Sequence, residues 1–189
     1  MNKKEIISYL QSIIAIPMIA IAMPLSGIPS ITNLVANNNL TSENSVIITQ
    51  EEVARKEKAD AIDAYFAKID APLKGYGMKF VTEAEKNDID WRLLPAIAMR
   101  ESTGGEFACK KATFSVFGWG SCKINFKSID ESIEIVAKNL GGNNPNTDHH
   151  YAGKTTEQIL RKYNSYIKNY PAQVMKIMQT IHSDEQEVK

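Results

Sequence analysis

The sequence predicts a mainly α protein: one α-rich domain with little or no sheet and one disulfide. Three observations carry this reading. Apolar residues recur at helical spacing in several separate stretches. Two of these stretches open on a Ser/Thr-x-x-Glu/Gln signature, Ser128 with Glu131 and Thr155 with Gln158. Between the stretches stand glycine pairs and prolines, and the only extended candidate is a short piece near Phe114–Phe117.

The elements follow in chain order. Lys3 and Lys4 precede an uncharged run from Ile6 to Ser42, densest from Ile13 to Ile21. A basic start, an apolar centre and the small-x-small triplet Ala20-Ile21-Ala22 form the pattern of a secretory signal, with Val35-Ala36 as a second cleavage site. Residues 1–22 are therefore a signal peptide or, if uncleaved, a membrane anchor spanning Ile6–Met23 that Pro17 would kink. Residues 23–50 form a polar, asparagine-rich linker.

The domain is expected over residues 51–183, ahead of a charged tail at 184–189. Ile62, Tyr65, Phe66 and Ile69 make the stripe of a first helix, which Pro72, Gly75 and Gly77 end. Phe80, Val81 and Ala84 belong to a short second helix ending at Asn87-Asp88. Asp90 is the expected N-cap of a third, running from Trp91 to Arg100. Pro95 inside it requires either a later start or a kink, and Gly104-Gly105 stops it. Residues 106–127 read as irregular. Ile129, Ile133, Val136, Ala137 and Leu140 form the buried face of the helix capped by Ser128, which Gly141-Gly142 ends. Asn143 to Gly153 is a loop. Ile159, Leu160 and Tyr163 follow the Thr155 cap. Pro171 suits the first turn of a last helix, whose stripe is Val174, Ile177, Met178 and Ile181.

Composition excludes several function classes. The 189 residues include 22 basic and 22 acidic side chains, so no cationic excess exists to neutralise a phosphate backbone, and nucleic acid is not an expected partner. A hydrophobic content of 43% is too high for a disordered chain. No internal repeat indicates a solenoid. Cys109 and Cys122 suit one disulfide in an exported protein, with two reduced thiols as the alternative. His149, His150 and His182 match no zinc-finger spacing with them, so neither metal nor cofactor is expected. Nothing indicates an oligomer, and a monomer is expected.

Chemistry is expected at Glu101. Leu94, Ile97, Ala98 and Glu101 stand at i, i+3, i+4 and i+7, which puts the carboxylate at the end of a core-facing stripe. The C-terminal end of a helix disfavours an anion, as does partial burial. Both favour the protonated acid that glycosidic cleavage requires. A solvated glutamate paired with Arg100 or Lys110 is the structural alternative. Phe114, Phe117 and Trp119 lie between the cysteines, and Gly118 and Gly120 flank the tryptophan. Aromatic faces of this kind stack on pyranose rings, although Phe117 and Trp119 equally suit a core beneath a loop. Tyr151, Tyr163 and Asn164 are further candidates.

The run Arg92-Leu93-Leu94-Pro95-Ala96-Ile97-Ala98-Met99-Arg100-Glu101-Ser102 resembles the catalytic helix of lytic transglycosylases and glucosaminidases of the lysozyme superfamily, which ends in a Glu-Ser pair. Val116-Phe117-Gly118-Trp119-Gly120, followed by Phe126-Lys127-Ser128, is similar to the N-x-F-G and F-x-S stretches of the cell-wall glucosaminidases of glycoside hydrolase family 73, with Ser115 and Val116 where asparagine is frequent there. Tyr163-Asn164 resembles the Tyr-Asn pair of the transglycosylases. The likeness spans roughly residues 75–182.

It implies a lysozyme-like fold and an endo-β-N-acetylglucosaminidase type of cleavage at β-1,4 bonds of peptidoglycan strands. Glu101 would be the general acid, and Tyr163 would orient substrate or stabilise the oxocarbenium charge. Ser102, Phe117, Gly118, Trp119, Tyr151 and Asn164 would contact sugar. Asp130 and Glu131 read as capping residues, so Glu106 is the remaining second-carboxylate candidate. One acid suffices if the 2-acetamido group of the sugar assists. A lytic transglycosylase giving anhydro-muramic ends is the alternative within the enzyme class. A non-catalytic wall-binding or scaffold module is the rival outside it. A peptidase or amidase lacks support, because neither a nucleophile–histidine arrangement nor a zinc motif is found.

Overall fold

The computed structural model describes residues 49–187, with side chains as far as Ile181. The expected signal or anchor lies outside the described residues, as does the linker up to residue 48. All described residues fall in one compact unit, 46–189. The fold is mainly helical, with one disulfide and no strand among the described residues.

Helix α1 is Gln50–Ala67. It begins one residue before the expected boundary, because Thr49 caps it in a reciprocal box with Glu52. The helix ends before Ile69, which is 48% exposed and so leaves the predicted stripe. Helix α2 is Gly77–Lys86. Asp63 of α1 fixes the turn before it, since its Oδ1 accepts the N–H groups of Gly75 (2.8 Å) and Gly77 (2.9 Å).

Helix α3, Leu93–Ser102, starts later than the Asp90 cap implies. Asp90 instead accepts the Arg92 N–H (2.9 Å) and pairs with its guanidinium, shaping the turn ahead of the helix. Pro95 consequently lies in the first turn, where a missing N–H costs no helical hydrogen bond, and no kink is needed. Leu93, Leu94, Pro95, Ala96, Ile97 and Ala98 are all buried. The helix is thus enclosed on every side over its first two turns, broader than the predicted stripe. It packs on α2 and on two later helices, α5 (Ile129–Leu140) and α8 (Tyr170–Glu187). Full burial of a Leu or Ile side chain contributes on the order of 2 kcal/mol, which makes α3 the axis of the core. Ile62, Phe66, Phe80, Ile133, Val136, Leu140, Tyr170 and Val174 surround it.

Four residues, Trp119–Cys122, form the short segment α4. No extended piece exists at 114–117; Phe114 instead takes a positive φ of 51°. In α5, Ser128 accepts the Glu131 N–H (3.1 Å) as predicted, but Glu131 reaches past the cap to the Lys127 N–H (2.5 Å). The expected 143–153 loop holds a short helix, α6 (Asp148–Tyr151). Helix α7, Thr156–Tyr163, carries the full Thr155–Gln158 capping box. Pro171 is in the first turn of α8. That helix continues to Glu187, through residues 184–187 of the expected charged tail.

Candidate active-site cleft

Helix α3 leaves the core in its last turn, so Glu101 is half-buried at the point of emergence. Thr103, not a glycine, takes the first left-handed position after it (φ 52°), followed by Gly104 and Gly105. Gly104 is required here by approach as well as by φ. A Cβ on it would stand 2.8 Å from Ala71 Cβ and 2.9 Å from the Phe66 ring.

Ser102 fixes the next segment to the helix. Its hydroxyl donates to the Val116 carbonyl (2.6 Å) and the Ala98 carbonyl (3.0 Å), and accepts the Gly105 N–H (3.0 Å). It is 3% exposed and does not line the cleft. The residue expected to touch sugar therefore acts inside the protein, holding the 116–118 backbone against the end of α3.

That backbone brings Phe117 and Gly118 beside the acid. A Cβ on Gly118 would lie 3.5 Å from Glu101 Oε2, and its φ of 64° favours glycine. Gly120, Ser121 and Cys122 continue in the left-handed region at 62°, 57° and 59°. The Cys109–Cys122 disulfide, with Cα atoms 5.7 Å apart, closes this loop.

Together these segments frame an open cleft of about 450 Å³. Glu101 lines it, as do Phe117, Gly118, Trp119, Tyr151, Tyr163 and Asn164, seven of the eight residues expected to act on or contact sugar. Glu106 is exposed and stands outside it. The lining holds one carboxylate, Glu101.

The aromatic groups form a connected set. Trp119 is half-buried, with its ring centroid 6.3 Å from Tyr151 and 5.7 Å from Tyr163. It thus packs on the core and faces the cleft, combining the two roles left open for it. Phe117 is 1% exposed, a core residue whose carbonyl accepts the Tyr163 hydroxyl (2.5 Å). Tyr163 in turn stacks on Tyr170, at 5.9 Å and 9° between planes.

Tyr170 is the group that sequence reasoning missed. Its hydroxyl donates to Glu101 Oε1 (2.7 Å), while the Arg100 guanidinium lies 5.9 Å from its ring centroid. Oε2 of Glu101 has no protein hydrogen-bond donor among the described residues, which leaves it available to a ligand. Burial, then the neighbouring Tyr163 and Glu101, push the Tyr170 hydroxyl far above its ordinary value of 10.0. Burial does the same for Tyr163, reinforced by Glu101 and Tyr151, and burial raises Tyr151. All three remain neutral hydroxyls at neutral pH, and Tyr163 and Tyr170 are the two that feel Glu101. One signal for Tyr170 was present: it stands four residues before Val174, in register with the α8 stripe. Ser121, Ser165 and Tyr166 also line the cleft and carried no signal.

No group of three or more His, Cys, Asp or Glu side chains among the described residues is placed to hold a metal ion. No helix there is long and apolar enough to cross a membrane. No family model, curated protein or solved structure matches the chain.

Proposed function

We propose that the chain cleaves β-1,4 glycosidic bonds between N-acetylated sugars of peptidoglycan, with Glu101 as general acid. One observation carries the reading: a single carboxylate, gripped on Oε1 by Tyr170 and open on Oε2, lies in a cleft walled by aromatic rings. Rings of this kind receive the apolar faces of sugars, and a carboxyl group aimed into the cleft meets the bridging oxygen. The resemblance of Glu101-Ser102 and Tyr163-Asn164 to the lysozyme superfamily supports the same assignment. The N-terminal signal pattern and the disulfide support action outside the cytoplasm.

In the proposed reaction Glu101 gives its proton to the glycosidic oxygen as the bond from C1 to that oxygen breaks. The carbonyl oxygen of the 2-acetamido group closes on C1 and takes the developing positive charge. Tyr163 and Trp119 flank the ring during this step. Water then attacks C1 and returns a proton to Glu101, leaving a reducing end; this is the glucosaminidase-type outcome. Alternatively the 6-hydroxyl of the same sugar attacks and loses its proton to Glu101, giving a 1,6-anhydro end. The lone carboxylate serves both outcomes, since Glu101, once it has given up its proton, is the base for either nucleophile.

The test is digestion of peptidoglycan, with mass spectrometry of the soluble glycans beside Glu101→Gln. Loss of general acid chemistry is expected to reduce the rate by about 10³-fold or more. Anhydro ends identify transglycosylation and reducing N-acetylglucosamine ends identify hydrolysis. Absence of any Glu101-dependent product, from wall material that lysozyme digests, leaves a non-catalytic wall-binding module.

A further inference from the structure

A second cavity of about 250 Å³ opens beside the cleft. Asn164, Ser165 and Tyr166 line both, so the two share a wall. Their charges differ in sign. The cleft lining holds the carboxylate of Glu101, whereas the second cavity adds Arg161 and Lys168 and no acid.

Both cations can receive an anionic ligand. Arg161 pairs with Glu157, but both side chains are at least half exposed, and a pair in that setting is weak. Its two hydrogen bonds go to the same oxygen, Glu157 Oε1, so further guanidinium N–H groups are left over. Lys168 is exposed and has no ion pair among the described residues. Asn164 Oδ1 accepts the N–H groups of Tyr166 (3.2 Å) and Ile167 (3.1 Å). Its amide NH₂ is therefore available on the shared wall.

A wall glycan matches this arrangement. Its sugar backbone is uncharged, and alternate sugars carry a lactyl-linked peptide with free carboxylates. A strand lying along the aromatic cleft would send such a branch over Asn164–Tyr166 into the basic cavity. We propose that the Arg161–Lys168 cavity is a subsite for the carboxylates of this peptide branch, so that the protein prefers peptide-bearing strands to bare ones. The inference rests on the glycan reading of the cleft.

Binding tests it independently of turnover. Full-length Glu101→Gln protein, which leaves strands whole, is titrated with peptide-bearing strands and with strands stripped by an amidase. Peptide-bearing strands are expected to bind roughly threefold to tenfold tighter, as one or two exposed charge pairs allow. The ratio is expected to approach one in Lys168→Glu, to survive in Lys168→Arg, and to shrink as salt is raised. Free stem peptide is expected to compete for peptide-bearing strands only. Equal binding of both strands, or a preference unchanged in Lys168→Glu, overturns the subsite. If the unmutated protein cleaves glycan while Glu101→Gln shows no preference, the subsite fails and the glycosidase stands. A Lys168-dependent preference without cleavage keeps the subsite and removes the enzyme.

Discussion

The contact between Tyr170 and Glu101 joins the candidate acid to one buried side chain. A buried phenol is a useful partner for a carboxylate because it donates without bringing a charge. Tyr170 can do so over a wide pH range, since burial and the neighbouring Tyr163 and Glu101 oppose its ionisation. The consequence for stability has a definite sign. A tyrosine whose folded pKa is raised binds its proton more tightly folded than unfolded. Its contribution is fully present below the unfolded value near 10.0 and is lost as pH climbs above it toward the folded value. Unfolding free energy is therefore expected to fall above pH 10, by up to about 1.4 kcal/mol per pH unit for each such tyrosine. Urea denaturation between pH 9 and 11.5 measures this, and Tyr170→Phe is expected to flatten the slope. An unchanged slope would show that Tyr170 does not hold its proton more tightly in the folded protein. At neutral pH the same variant leaves Oε1 of Glu101 without its donor. If the proposed function holds, it is expected to cleave wall glycan about tenfold more slowly, as the loss of one hydrogen bond implies.

At the scale of elements, the end of α3 decides where the acid stands. Helix and loop are joined there by Ser102, and the chain turns through Thr103, Gly104 and Gly105 against Phe66 and Ala71. Gly104→Ala is expected to cost about 2–4 kcal/mol, from left-handed backbone strain and a clash with those side chains. Gly75→Ala is the comparison: its φ is also positive, at 91°, but nothing lies within 4 Å of the new Cβ. It is expected to cost only about 1–2 kcal/mol, so equal values in urea denaturation would remove the clash argument. These elements also show what a sequence can reveal. Thr155–Gln158 and Ser128 were readable because a cap is made by residues three apart. Pro95 was ambiguous because sequence did not say whether the helix began at Trp91 or Leu93. Helix α6 escaped notice because four residues carry no periodicity. The site was half legible: Glu101 and Trp119 announced themselves by position and type. The Tyr170 contact joins residues 69 apart, and Ser102 looked like a ligand contact because its inward hydrogen bonds are visible only in three dimensions.

The whole domain combines two kinds of construction. Helices α1, α2, α3, α5 and α8 share a continuous apolar core, while residues 106–127 follow an irregular path that adds Val116 and Phe117 to that core and is otherwise held by polar links and one covalent bond. Thr113 exchanges hydrogen bonds with the 125–126 segment: the Asn125 side-chain Oδ1 accepts its N–H (3.0 Å), and its carbonyl accepts the Phe126 N–H (3.1 Å). The disulfide spans thirteen positions, and closing a loop of that size restricts the unfolded chain by roughly 3 kcal/mol. The core side chains of the helices lie outside this loop. The double variant Cys109→Ser, Cys122→Ser is therefore expected to fold, with helical circular dichroism retained and a melting temperature lower by roughly 10 °C. Its cleft should suffer more than its fold. Phe117, Gly118, Trp119, Gly120 and Ser121 all lie between the two cysteines and all line the cleft. Left-handed backbone at Ser121 and Cys122 is costly for side-chain-bearing residues, so without the bridge this wall is expected to relax. The proposed activity on wall glycan, measured well below the new melting temperature, should fall by a larger factor than the folded fraction does. Activity that merely tracks the folded fraction would show that the hydrogen bonds of Ser102 and Tyr163 suffice to hold the wall.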